Sequence, residues 1–125
     1  MGERIHSHMM TVMQSVEEIS MTELQDKIMA GDVCHIIDVR DDREWEAGHI
    51  PDAHHISRGK LEFKIEDVFP ESETPIVLYC GGGSRSALAA LSLQLLGYEN
   101  VLSLQGGFRG WQGAGGDVIM DGASI

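Results

Sequence analysis

Short apolar runs alternate with helix-forming stretches along almost the whole chain, and punctuating glycines and prolines set their limits. Residues 16–19 can form a first strand. Ser20-Met21-Thr22-Glu23 then has the form of a capping box, opening a helix that ends before Gly31. Leu24 and Ile28 are four apart, so this spacing places both on the buried face of that helix. Residues 33–40 are nearly continuous in apolar character, as expected inside a parallel sheet covered on both faces, which predicts that Cys34 is buried and inert. A short turn follows at residues 41–48, ending at a glycine. Residues 54–63 read as a short strand running into a loop, and residues 64–73 as an acidic linker ending at Phe69-Pro70. Pro75-Ile76-Val77-Leu78-Tyr79 is a buried strand, and Ser86 to Leu96 a helix apolar nearly all round, ended by Gly97. Val101-Leu102-Ser103-Leu104 is another strand, and Gly106-Gly107 starts the last helix, where Trp111 is expected in the core. The pattern predicts an α/β domain with a mainly parallel sheet of about five strands and helices on both faces. Residues 1–15 have weak periodicity and read as a flexible extension, residues 16–121 as the single domain, and residues 122–125 as a tail within a glycine-rich end expected to fray.

Composition narrows the class of function. A length of 125 residues fits one domain with a real core. Nine basic against twenty acidic residues give a formal charge of -11, which argues against nucleic acid or an acidic membrane as a partner and leaves an anionic substrate dependent on local potential. Two cysteines make no disulfide framework and no paired zinc motif. With no apolar leader and no run of membrane-spanning length, the expected setting is reducing and cytoplasmic. His6 and His8 lack companion ligands, so no metal site is expected.

The chemistry concentrates where the apolar strand ends, at Cys80-Gly81-Gly82-Gly83-Ser84-Arg85-Ser86. A cysteine in that position is by default a small buried hydrophobe, and glycines by default make a turn. Three consecutive glycines leading into a helix reverse that reading. They let backbone N–H groups face the sulfur, and the helix start favours thiolate over thiol. Cys80 also lies at the carboxyl end of a strand, where ligands bind in parallel sheets.

Cys80, Gly83, Arg85 and Ser86 match the Cys-x-x-Gly-x-Arg-Ser form of the active-site loop of the rhodanese family of sulfurtransferases, which the segment resembles. Asp38-Val39-Arg40, the acidic and aromatic turn around Trp45, and Gly48-His49-Ile50-Pro51-Asp52-Ala53 resemble further family elements, with Asp52 where the family usually has glycine. So does the Gly-Gly-x-x-x-Trp of Gly106 to Trp111. The resemblance spans residues 16–121. It implies a rhodanese-like domain in which Cys80 is the catalytic nucleophile and Gly81, Gly82, Gly83, Ser84 and Arg85 line the substrate. His49 takes a structural place under it. Arg58, in an Arg-Gly-x-Leu-Glu-Phe segment like that of many thiosulfate-using relatives, is a further candidate for attracting the anion, the alternative for Arg58 and Lys60 being solvated surface charge. The implied partners are a small anionic sulfur donor such as thiosulfate and a thiophilic acceptor, cyanide or a small-molecule or protein thiol, and the route needs no metal or organic cofactor. Four residues separate Cys80 from Arg85, where the related phosphatases carry five, so the cradle suits one added sulfur atom better than a phosphoryl group. A cysteine-dependent phosphatase or arsenate reductase and a non-catalytic interaction module remain the alternatives. Arg85 can either point in to the donor or turn away to a carboxylate such as Asp38 or Glu46 and brace the loop, the second being favoured.

Overall fold

The computed structural model describes residues 2–32 and 34–120. Five strands, β1 (Glu17–Ile19), β2 (His35–Asp38), β3 (His54–His55), β4 (Ile76–Tyr79) and β5 (Val101–Leu104), form one sheet in the order β1-β5-β4-β2-β3, with every pair parallel. Six helices accompany them: α1 (Glu3–Ser15), α2 (Met21–Ala30), α3 (Asp42–Glu46), α4 (Leu61–Val68), α5 (Ser84–Leu95) and α6 (Gly107–Gly113). Among the described residues no helix is long and apolar enough to cross a membrane.

The central strand β4 is buried at all four positions, and its side chains alternate between two cores. Ile76 and Leu78 enter one with Met9, Val12, Ile37, Leu61, Ile65 and Ala87. Val77 and Tyr79 enter the other with Ile19, Leu24, Ile36, Phe108 and Trp111. The same alternation carries Cys80, the next residue, into the first core, on the side where α5 begins.

Local chemistry sets the element limits. Ser20 and Glu23 exchange the two capping-box hydrogen bonds at the start of α2, and Gly31 closes the helix at φ +74°. A second box, between Asp41 and Glu44, opens α3. Asp52 holds φ +64°, the left-handed conformation that asparagine and aspartate tolerate best among residues with a side chain.

Several expectations are corrected. Residues 3–15, expected to be a flexible extension, form a helix, because Met9 and Val12 lie three apart and bury together in the first core. The expected loop and linker at residues 61–68 is α4, since Leu61 and Ile65, four apart, are both fully buried. Leu24 is buried, but Ile28 remains 46% exposed, so only the first of that pair faces the core. Cys34 lies outside β2 and is half-buried, and burial still pushes its thiol pKa up. The end of the chain is tied down as far as residue 119, where Ile119 pairs antiparallel with His49 through hydrogen bonds of 2.8 and 3.0 Å. Val33 and the proposed boundary and tail at residues 121–125 lie outside the described residues.

Candidate active site

Cys80 follows the last residue of β4 and is 1% exposed. The amides of Gly83 and Ser86 donate to its Sγ at 3.1 and 3.3 Å, and Sγ lies 3.5 Å from Ser86 Oγ. Burial alone pushes this thiol up. Hydrogen bonds from the Ser86 hydroxyl and the amides of Ser86, Gly83 and Gly82 outweigh it, and the thiol is lowered below its ordinary value.

The amides can face inward because the carbonyls are held outward. Phe108 N–H donates to Cys80 O at 2.7 Å and Arg109 N–H to Gly81 O at 3.1 Å, so the start of α6 clamps the loop from behind. This close approach is possible only at a glycine. At Gly107, with φ +57°, a Cβ would stand 2.5 Å from Cys80 O and 2.7 Å from Gly81 O, both rigid backbone atoms. Gly83 turns the loop into α5 at φ +114°, another conformation that a side chain would strain. Helix α5 therefore begins at Ser84, two residues before the expected Ser86.

Ser86 is fully buried and its Oγ lies 2.8 Å from Ser103 Oγ on β5. The pair lets the Ser86 hydroxyl turn toward a thiolate while Ser103 donates to its oxygen. Ser86→Ala should accordingly move the inflection of the pH-rate profile for iodoacetamide alkylation of Cys80 to higher pH, with a slower rate near neutrality and convergence on the parent rate in alkali. An unchanged profile would show that the hydroxyl does not tune the thiol.

Arg85 turns away from the sulfur. Its guanidinium makes a two-pronged pair with Glu44 of α3, at 2.8 and 3.0 Å. The expected bracing partners were Asp38 or Glu46, but Asp38 is occupied by Arg40 at 2.7 Å, which leaves Glu44 as the carboxylate facing the loop. The hydrogen bond from Arg85 pulls the Glu44 carboxyl down to about 2. Because the folded value lies below the ordinary one, the pair's stabilisation is complete above the ordinary carboxylate range and is lost as pH falls through about 2.

The loop thus brings Cys80, Gly81, Gly82, Gly83, Ser84, Arg85 and Ser86 together, whereas Arg58 is held elsewhere, by Glu62 at 2.7 Å and by Ser92 Oγ on the third turn of α5 at 2.9 Å. His49 is buried, with Nδ1 3.0 Å from Ile50 O and its ring stacked 3.5 Å from Trp45. Trp111 is 4% exposed and donates from Nε1 to Asp117 O at 2.8 Å. The residue that sequence reasoning missed is Arg109, whose guanidinium lies against Gly82 so closely that a Cβ there would overlap Nη2. In the sequence it is one of three unspecified positions between Gly107 and Trp111.

Residues 20–114 match the rhodanese-like domain. The chain is 31% identical over 100 residues to "Thiosulfate sulfurtransferase GlpE" of Tolumonas auensis, covering 80% of this chain and 92% of that one. It is 32% identical over 99 residues to the "Putative sulfur carrier protein YrkF" of Bacillus subtilis, covering 79% of this chain and spanning only about half, 52%, of that relative. A solved structure from Rhodopseudomonas palustris, described as a possible tyrosine phosphatase, superposes with a TM-score of 0.86 at 35% identity and covers 92% of this chain and 93% of its own. The match over residues 20–114 includes the loop from Cys80 to Ser86 and the glycine turn that clamps it, and the chain belongs to the rhodanese-like domain family.

Proposed function

We propose that the protein is a sulfurtransferase that carries a sulfane sulfur on Cys80. The thiolate attacks the outer sulfur of thiosulfate, or of a similar anionic donor, forming the Cys80 S–S bond as the bond to the sulfite sulfur breaks. Sulfite leaves with the electron pair of that bond, and Cys80 is left as a persulfide anion. An acceptor nucleophile, cyanide in an assay or a thiol in the cell, then bonds to the outer sulfur, and the pair of the S–S bond returns to Cys80. Neither step calls for a metal or an organic cofactor. The loop amides stabilise the charge on sulfur in both directions, and Arg85 braces the loop. A cytoplasmic, reducing setting belongs to the same reading, because the nucleophile works as a free thiolate.

The observation that carries this reading is that the amides close directly on Sγ, at 3.1 and 3.3 Å, while the arginine that ends the loop is engaged by Glu44. A phosphoryl-transfer cradle needs amides and arginine arrayed around a tetrahedral anion beyond the sulfur. The short stretch from Cys80 to Arg85 supports one added sulfur atom over a phosphoryl group. The name of the GlpE relative supports the same chemistry, and the loop argument outweighs the likeness to a possible phosphatase.

Side-by-side assays separate the readings. Thiosulfate and cyanide should give thiocyanate, and a generic phosphomonoester should stay intact. Phosphomonoester hydrolysis without thiocyanate would favour the phosphatase reading, and neither activity would favour a binding module.

A further inference from the structure

Three arginines on the segments that follow β2, β3 and β4 are each neutralised by a carboxylate. Arg40 is paired with Asp38, Arg58 with Glu62 and Arg85 with Glu44. Arg109 is exposed and, among the described residues, its guanidinium is paired with no carboxylate and makes no hydrogen bond to another side chain. In a chain of formal charge -11 it is the uncompensated cation set against the loop.

The loop glycines point to the same residue. Gly83 is required by its backbone, at φ +114°. Gly82 has no such requirement, and its solvent-facing position makes no demand of burial. What a side chain there would meet is Arg109: Nη2 in direct overlap, Cζ at 3.4 Å and Nε at 3.8 Å. Gly81 lies beside the same group: its Cβ position is 3.1 Å from Arg85 Nη2 and in ordinary contact, at 3.7 Å, with Arg109 Nη1 and with the Glu44 Oε2 that Arg85 holds. Glycine at position 82 leaves room for the Nη2 end of the guanidinium to reach the peptide that leads into the sulfur cradle.

We propose that Arg109 binds the anionic, non-transferred end of the sulfur donor, so that this site selects donors carrying a sulfonate-type group over neutral ones such as organic trisulfides. The proposal rests on the sulfurtransferase reading and adds to it the residue that meets the leaving sulfite. A guanidinium suits that task because it is always charged and offers forked donors to a planar or tetrahedral oxyanion. Arg85 cannot take the role while both its prongs hold Glu44.

The test uses Arg109→Gln, Arg109→Lys and Gly82→Ala in the full chain, with two readouts. The first compares alkylation of Cys80 by iodoacetate, an anion, with alkylation by neutral iodoacetamide. Loss of one charge-assisted contact corresponds to roughly tenfold, so Arg109→Gln should lower the ratio of the two rates by about that factor, at an iodoacetamide rate and melting temperature close to the parent's. Arg109→Lys should recover part of the ratio. Gly82→Ala, which displaces the guanidinium without removing it, should lower the ratio as well. The second readout is steady-state: the thiosulfate KM should rise about tenfold in Arg109→Gln with kcat nearly unchanged. An unchanged alkylation ratio in Arg109→Gln would overturn the assignment even if sulfur transfer is confirmed. A lowered ratio in a protein that transfers no sulfur would place an anion site here and refute the sulfurtransferase reading instead.

Discussion

Cys80→Ala is expected to abolish thiocyanate formation from thiosulfate and cyanide while leaving the fold intact. The sulfur is the only atom removed, and it sits at the end of β4 where its contacts are amides of its own loop and the Ser86 hydroxyl. Those amides keep their loop in place without it, because the clamp from α6 acts on the carbonyls of Cys80 and Gly81, which alanine retains. The chemistry has no second route. Cys34 is half-buried, its thiol is pushed up by burial, and no glycine loop or helix start lies beside it. A steady-state assay that found substantial turnover in Cys80→Ala would refute the nucleophile.

The largest effect on stability is expected at Arg40. Its Nη2 donates to Asp38 Oδ2 and to Gly48 O, both at 2.7 Å, and its guanidinium lies 4.2 Å over the Phe108 ring and 5.5 Å from the Tyr79 centroid. Asp38 is fully buried and Arg40 is 4% exposed. Arg40→Met would leave a buried carboxylate without its partner, a change that costs about 3–5 kcal/mol. Denaturant unfolding should show that loss, and Asp38→Asn combined with Arg40→Met should destabilise by less than the two single changes added together, because the pair then leaves no unmatched charge. A single-variant loss below ~1 kcal/mol would contradict the pairing as the anchor of this end of the sheet. The effect reaches the active site, since Phe108, under the guanidinium, begins the turn of α6 that clamps Cys80 O.

What was legible in the sequence is the part whose causes are local. Cys80, three glycines and Ser-Arg-Ser occupy seven consecutive positions, and an amide cradle is a property of a short loop folding on itself. The capping box at Ser20 and Glu23 and the left-handed turn at Asp52 are likewise set within four residues. The parallel sheet followed from the apolar runs of β2 and β4. Helices α1 and α4 escaped because each buries only two residues, Met9 with Val12 and Leu61 with Ile65, while further apolar residues, Ile5, Met10, Met13 and Phe63, stay exposed and blur the periodicity. Their stability comes from docking against the first core, which no window of sequence displays. The chemistry of Arg85 leaves two roles open, and the family resemblance and the crowding of a small cradle favour bracing; its pairing with Glu44 depends on where α3 docks. Arg109 depends on the docking of α6 in the same way, and its close approach to Gly82 is what reveals it.

The central claim is that Cys80 stores a single sulfur atom, and intact mass after thiosulfate treatment tests it most directly. The parent protein should gain the mass of one sulfur atom, lose it on addition of cyanide or a thiol reductant, and gain nothing when Cys80 is alanine. A parent protein that gains no sulfur under thiosulfate, or a Cys80→Ala protein that gains it equally, would contradict the account.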